Sequence, residues 1–266
     1  MKLITKFHTQ SLSETVGQQI INTNNNSILE LDKESIINLY RSHGLLLFRG
    51  FEKDVETFTK FTNELSTNFM DYAGGVFNRR VINDNSTILS VNDFNDGIKL
   101  HGEMYYQKKI PLMLWFFCAH PASENGETIV CDGKLFYDEL SDSLKELFSR
   151  KKLRYRGHLD KNAWIKQYKT DDLNVVEQIC KSNDIQLKIN EDESIDIYYI
   201  CPAIYPSKNG KDMIFISSLL PAMVISPDVV SFDDGSNIND EIMSELNEIA
   251  ERITEEINWQ KGDILM

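Results

Sequence analysis

The chain has 266 residues, is 41% hydrophobic and carries a net charge of −13. That suits a globular chain of one large domain or two small ones, and the acidic balance makes nucleic acid and anionic membrane surfaces unsuited partners. No apolar run approaches the roughly 18 residues of a membrane span, the first residues lack the apolar core of a signal peptide, and four scattered cysteines (Cys118, Cys131, Cys180, Cys201) read as free thiols in a reducing cytoplasm.

In chain order, Asp32 caps a helix expected over Lys33–His43, with Ile36, Ile37 and Tyr40 on one face and Gly44 as its stop. The apolar run 45–48 predicts a buried strand, and Phe58, Phe61 and Leu65 at helical spacing predict a helix over 54–66. Strands are expected at 87–91, at 111–119 (apolar throughout, hence buried on both faces) and at 126–130. Helices are expected at 134–140 and 141–149, the second capped by Ser141. Residues 150–161 hold a basic cluster: Arg150, Lys151, Lys152, Arg154, Arg156 and Lys161. A helix at 172–183 and strands at 186–188, Ile195–Cys201 and 213–216 follow. Asn239 caps a long amphipathic helix whose stripe is Ile242, Leu246, Ile249, Ile253 and Ile257; a last strand begins after Trp259. Short strands interleaved with helices, with no glycine-rich phosphate turn after any strand, point to a mixed α/β chain with a mainly β core, a sandwich or jelly roll with flanking helices.

The chemistry centres on Leu100, His101, Gly102 and Glu103. In an extended strand, residues i and i+2 share a face, so His101 and Glu103 would present an imidazole nitrogen and a carboxylate oxygen side by side. Gly102 between them lets the backbone approach a ligand closely. One His and one carboxylate make two-thirds of the facial triad that holds non-haem Fe(II) and leaves positions open.

Several stretches resemble, in order, the taurine dioxygenase (TauD/TfdA) family of Fe(II)- and 2-oxoglutarate-dependent oxygenases, in particular members of the syringomycin-biosynthesis type found beside peptide and polyketide synthase genes. They are GLLLFRG (44–50), YAGG (72–75), LHGE (100–103), WFFC (115–118), GETIVCDG (126–133), Trp164 with TDD (170–172), CPA (201–203) and WQKGDI (259–264). The resemblance implies a single oxygenase domain over 1–266, a double-stranded β-helix holding one Fe(II), with His101 and Glu103 as the first two iron ligands. It implies that the Thr128 hydroxyl meets a carboxylate of 2-oxoglutarate and that Asn92 contacts substrate. Trp259 matches an aromatic that precedes the last active-site strand. The family's distal His, the third ligand, and its 2-oxoglutarate Arg are expected beyond Met266, so the sequence reads as a C-terminally incomplete domain. Halogenating relatives carry a small residue at position 103, so Glu103 implies hydroxylation or desaturation. The implied substrate is a small molecule, an amino acid either free or tethered to an acyl or peptidyl carrier protein, in natural product biosynthesis. The other readings are an inert family member without a complete iron site, and a cupin-like enzyme using His120 or His158; His8 and His43 are the remaining histidines.

Overall fold

Short polar side chains set the starts of the helices. Asp32 accepts the Ser35 backbone N–H at 2.8 Å ahead of the Lys33–His43 helix, and Asp54 accepts that of Thr57 at 2.7 Å ahead of Val55–Leu65. Ser141, Asp172 and Asn239 do the same for Asp142–Arg150, Leu173–Ser182 and Asp240–Ile253. Each cap satisfies one of the donors a helix start leaves unpaired. Helices and strands alternate along the chain, which is a mixed α/β protein. The computed structural model describes residues 7–70, 79–82, 85–91, 96–208 and 210–266, and the chain divides into two compact units. Among the described residues no helix is long and apolar enough to cross a membrane.

The first unit comprises Met1–Met70, Leu112–Asp132 and Thr254–Met266. Its five-stranded sheet runs His8–Ser11, Gln18–Ile21, Leu46–Arg49, Ile264–Leu265, Phe116–Phe117. Gln18–Ile21 and Leu46–Arg49 are parallel; the other neighbours are antiparallel. Both faces of the middle strand are buried. Leu46 and Phe48 pack with Ile20, Ile264 and Met266 against Ile36, Phe58 and Phe61 of the helices. Leu47 and Leu265 point the other way, into a cluster with Ile257, Val130 and Trp259. Two buried faces are why the run 45–48 is apolar without alternation. Each large apolar side chain buried there contributes about 1.5–3 kcal/mol.

One charge sits in this apolar setting. Asp263, 1% exposed, accepts from Arg49 Nε at 3.1 and 3.2 Å and from Arg49 Nη2 at 2.6 Å. The Gln260 N–H adds a further bond at 2.8 Å. Arg49 Nη2 also donates to the Asn258 carbonyl at 2.7 Å.

Two expectations are corrected in this unit. Of the apolar stretch 111–119, only Phe116–Phe117 forms a strand; Leu112 is 75% and Leu114 40% exposed, so the segment is not buried on both faces. The helix expected to reach Ile257 ends at Ile253. Glu255–Ile257 is instead a strand paired with Thr128–Val130, and that pairing draws Ile257 into the apolar cluster below the main sheet.

The second unit comprises Asp71–Pro111 and Gly133–Ile253. Its four-stranded antiparallel sheet has the order Val230–Phe232, Leu153–Leu159, Ile195–Cys201, Ile185–Ile189. The basic cluster at 150–161 therefore lies largely on a strand, Leu153–Leu159, whose Leu153 and Tyr155 are buried while Arg156 and His158 alternate outward. The strand expected at 87–91 pairs as Asn85–Leu89 with Val81–Ile82. Helices at Lys161–Tyr168 and Leu219–Ile225 were not expected. Trp164 of the first is buried with Val176, Cys180 and Ile195, and its indole N–H donates to the Glu193 carbonyl at 2.9 Å. Phe136, Phe148, Phe215 and Phe232 pack ring against ring between the helices and this sheet. All four cysteines are free thiols; burial pushes Cys131 up to about 12 and Cys201 up to about 11.

Replacing Arg49 by Leu leaves the Asp263 carboxylate buried without its cation. We expect a loss of about 3–5 kcal/mol in urea unfolding. The double variant Arg49→Leu/Asp263→Leu, which removes both charges, is expected to recover much of it. A single-variant loss below about 1 kcal/mol would show that the pair is not holding the sheet.

Candidate metal centre

His101 and Glu103 come together, though not on a strand. Residues 101–102 have no regular structure, and a turn begins at Glu103. The pair is assembled by a clamp on the residue between them. The Gly102 N–H donates to the Ser217 carbonyl at 2.9 Å, and the Gly102 carbonyl accepts from the Ser218 hydroxyl at 2.9 Å. Ser218 is itself held, its N–H donating to the Tyr155 hydroxyl at 3.1 Å inside the unit. A Cβ at position 102 would lie 2.5 Å from the Tyr105 ring and 2.6 Å from Ile216 Cγ1. Glycine is thus required by close approach, as the sequence suggested, with protein rather than ligand as the neighbour. The turn continues through Met104, which is buried at a positive φ of 61°.

His101 Nδ1 lies 2.8 Å from the Lys99 carbonyl. A carbonyl only accepts, so Nδ1 carries the proton in the neutral ring and Nε2 keeps its lone pair. That lone pair faces Glu103, with Nε2 and Oε2 3.5 Å apart. Adjacent ligands on an octahedral divalent ion, each at about 2.1 Å, lie about 3 Å apart, so the two atoms fit neighbouring positions on one ion. The other carboxylate oxygen, Oε1, accepts from Arg79 Nη2 at 3.3 Å. The side chains of His101 and Glu103 are 29% and 15% exposed, respectively.

Burial acts against charge on both groups, and the pairing outweighs it. Burial alone would lower the His101 pKa; the hydrogen bonds to Glu103 and the Lys99 carbonyl, with the Glu103 charge, move it above its ordinary value. Burial alone would raise Glu103; His101 and Arg79 bring it below its ordinary value. The imidazolium contribution to stability is therefore complete below the unfolded histidine pKa and is lost as pH rises through the folded one. The carboxylate contribution is complete above the unfolded glutamate pKa and is lost as pH falls through the folded one.

Thr128 belongs to the other unit, at the start of the Thr128–Val130 strand. Its hydroxyl oxygen accepts the Trp259 indole N–H at 2.9 Å, which leaves the hydroxyl proton available to an anion. Asn92 and the 72–75 motif lie outside the described residues. Among the described residues no three His, Cys, Asp or Glu side chains form a set that could hold a metal ion. His8 and His120 are exposed, and His43 is exposed in the last turn of its helix. His158 Nδ1 is 3.0 Å from Asp196 Oδ1. The cupin-like alternative, which needs His120 or His158 beside His101, thus finds no ligand set among the described residues. Arg79 was not singled out from the sequence, where nothing in the spacing of Arg79 and Glu103 marks them as partners.

The model of the taurine catabolism dioxygenase TauD, TfdA family matches residues 8–266. The chain belongs to this family. Its members are Fe(II)- and 2-oxoglutarate-dependent dioxygenases, and these are the cofactors that membership assigns to the chain. A clavaminate synthase-like protein of Arabidopsis thaliana is 22% identical over 259 residues, 90% of this chain and 78% of that protein. The crystal structure of PvcB from Pseudomonas aeruginosa superimposes with a TM-score of 0.61 at 16% identity, covering 97% of this chain and 81% of PvcB. PvcB is described as an Fe, alpha-ketoglutarate dependent oxygenase from an isonitrile synthetic pathway. At that identity the likeness shows the fold alone.

In the metal-free protein, His101 should titrate above 6.5 by NMR, and Glu103→Gln should bring its midpoint down. A midpoint at or below 6.5 that does not respond to Glu103→Gln would mean the two side chains do not pair in solution.

Proposed function

We propose that the chain is an Fe(II)- and 2-oxoglutarate-dependent dioxygenase that hydroxylates an unactivated C–H bond of an amino acid, free or carried on an acyl or peptidyl carrier protein, in specialised metabolism. The observation that carries the reading is the His101–Glu103 pair, its tautomer set by the Lys99 carbonyl and its two ligand atoms 3.5 Å apart. In this reading the family's double-stranded β-helix spans the chain as one oxygenase domain. His101 Nε2 and Glu103 Oε2 are two protein ligands of the iron. The third ligand that the family reading calls for is not brought to the pair by the described residues. When bound, the iron and 2-oxoglutarate supply the oxidation of the C–H bond. The protein's part is orientation and electrostatics. The Lys99 carbonyl keeps the Nε2 lone pair directed at the ion. The Ser217–Ser218 clamp holds the backbone between the ligands. The Thr128 hydroxyl, its oxygen already accepting from Trp259, donates its proton to a 2-oxoglutarate carboxylate without neutralising it. A carboxylate at position 103 favours hydroxylation over halogenation, because it occupies the position a halide would need.

Both forms of the substrate remain in the proposal, and the surface favours the free one. A carrier protein is acidic, and an acidic chain repels it unless a local positive patch intervenes. The 150–161 stretch is the candidate, but Arg150, Lys151, Arg156 and Lys161 pair with Glu146, Asp234, Asp196 and Glu193. Arg154 bonds the Ser231 hydroxyl and lies over the Tyr198 ring, 5.4 Å from its centroid. Four of the six cations are thus balanced by acids, which leaves the charges of Lys152 and Arg154 to steer a carrier.

An anaerobic titration with Fe(II) and 2-oxoglutarate tests the metal reading. A weak visible charge-transfer band is expected, lost in His101→Ala, and Glu103→Ala should abolish succinate formation. Undiminished turnover in Glu103→Ala would end its role as ligand. If a carrier docks at this strand, neutralising Arg154 and Arg156 slows turnover of a tethered substrate and spares a free one; equal effects on both remove carrier docking there.

A further inference from the structure

The two oxygens of Glu103 have different neighbours. Oε2 faces His101 Nε2 at 3.5 Å. Oε1 accepts from the Arg79 guanidinium at 3.3 Å, in an ion pair whose side chains are 19% and 15% exposed. We propose that Arg79 is a positioning residue that holds Glu103 to ligation through one oxygen, leaving Oε2 alone to serve the metal. The inference rests on the reading of His101 and Glu103 as ligands.

A carboxylate binds a cation through one oxygen or through both. An octahedral ion has six positions. Three protein ligands and a chelating 2-oxo acid take five, and a second Glu103 oxygen would take the position the reaction needs open. Glutamate is long and its end group turns freely, so one-oxygen ligation is not guaranteed by the residue type. A charge-assisted hydrogen bond to Oε1 ties that oxygen away from the ion. The guanidinium is planar and always charged, so it restrains the carboxylate rotation at any pH at which the protein is folded. Partial burial keeps the restraint from being screened as a surface pair would be. Gly102, clamped at both its N–H and its carbonyl, fixes the other end of the Glu103 side chain. The residue is thus held at its backbone and at its outer oxygen, and only Oε2 is directed at His101.

The test is Mn(II) binding to the metal-free full-length protein, read from the EPR signal of free Mn(II). Arg79→Met should tighten binding several-fold, because Oε1 becomes available to the ion and a cation leaves its neighbourhood. Arg79→Lys should stay closer to the unaltered protein, because a single donor suffices for the one contact Arg79 makes with Oε1. As a second readout, the 2-oxoglutarate concentration needed to form the visible band at saturating Fe(II) should rise in Arg79→Met and return toward normal in Arg79→Lys. Binding by Arg79→Met within about twofold of the unaltered protein overturns the proposal while leaving the ligand reading intact. Absence of Mn(II) binding by the unaltered protein overturns both. If circular dichroism shows Arg79→Met unfolded, Arg79→Gln and Arg79→Lys decide the matter: affinities within about twofold for both overturn the proposal, and a gain in Gln that is largely absent in Lys supports it.

Discussion

The ion pair of Arg49 and Asp263 is the contact on which the first unit closes. A carboxylate taken out of water is costly unless a cation and further donors surround it. Here the guanidinium engages both oxygens and a backbone N–H adds a third donor. The pair sits where the backbone of Asp263 and Met266 is stitched on two sides. The Cys118 N–H donates to the Asp263 carbonyl at 2.9 Å, and Met266 exchanges hydrogen bonds with Leu46 at 2.9 and 3.0 Å. The charge therefore specifies register: a strand shifted by one residue would send Asp263 to the other face and an apolar neighbour to Arg49. The turn into this strand needs Gly262, at φ 91° and with a Cβ position only 2.7 Å from Lys53.

The candidate metal centre follows a different logic. Its ligand pair is held by a loop clamped from outside, with Tyr155, Ser217 and Ser218 acting on Gly102. Loops carry functional groups well when a rigid scaffold positions them. Tyr155 is part of that scaffold, on the Leu153–Leu159 strand at the middle of its sheet.

Sequence reading succeeded where the cause is local. The helix starts at Lys33, Val55, Asp142, Leu173 and Asp240 follow from caps within three residues, so they were legible. The strand Leu153–Leu159 was not, because Arg154, Arg156 and His158 alternate with its buried residues and the charges read as a solvated cluster. The segment 111–119 failed the other way: its apolar composition suggested a doubly buried strand, while only Phe116–Phe117 forms one. The identities of His101, Glu103 and Thr128 were read from motif and resemblance. How they are held was not, since the Ser217 carbonyl, the Lys99 carbonyl and Arg79 leave no pattern in the spacing. Trp259 was noted as a matching aromatic, but its bond to Thr128 joins residues 131 positions apart.

The discontinuity of the first unit bears on the order in which the molecule is made. Arg49 and Asp263 are separated by 214 positions, and all of the second unit lies between them in the sequence. During synthesis the Gln18–Ile21 and Leu46–Arg49 strands emerge before the second unit, and the neighbour that covers the open side of Leu46–Arg49 emerges only after it. Until then that edge, Leu46, Leu47 and Phe48, is apolar and unpaired, the kind of edge that recruits other chains. The second unit, by contrast, is complete once Ile253 has emerged. Folding should therefore proceed against sequence order, with the later-encoded body forming first. The amino-terminal strands would depend on speed, or on a chaperone, to reach their partner before they aggregate.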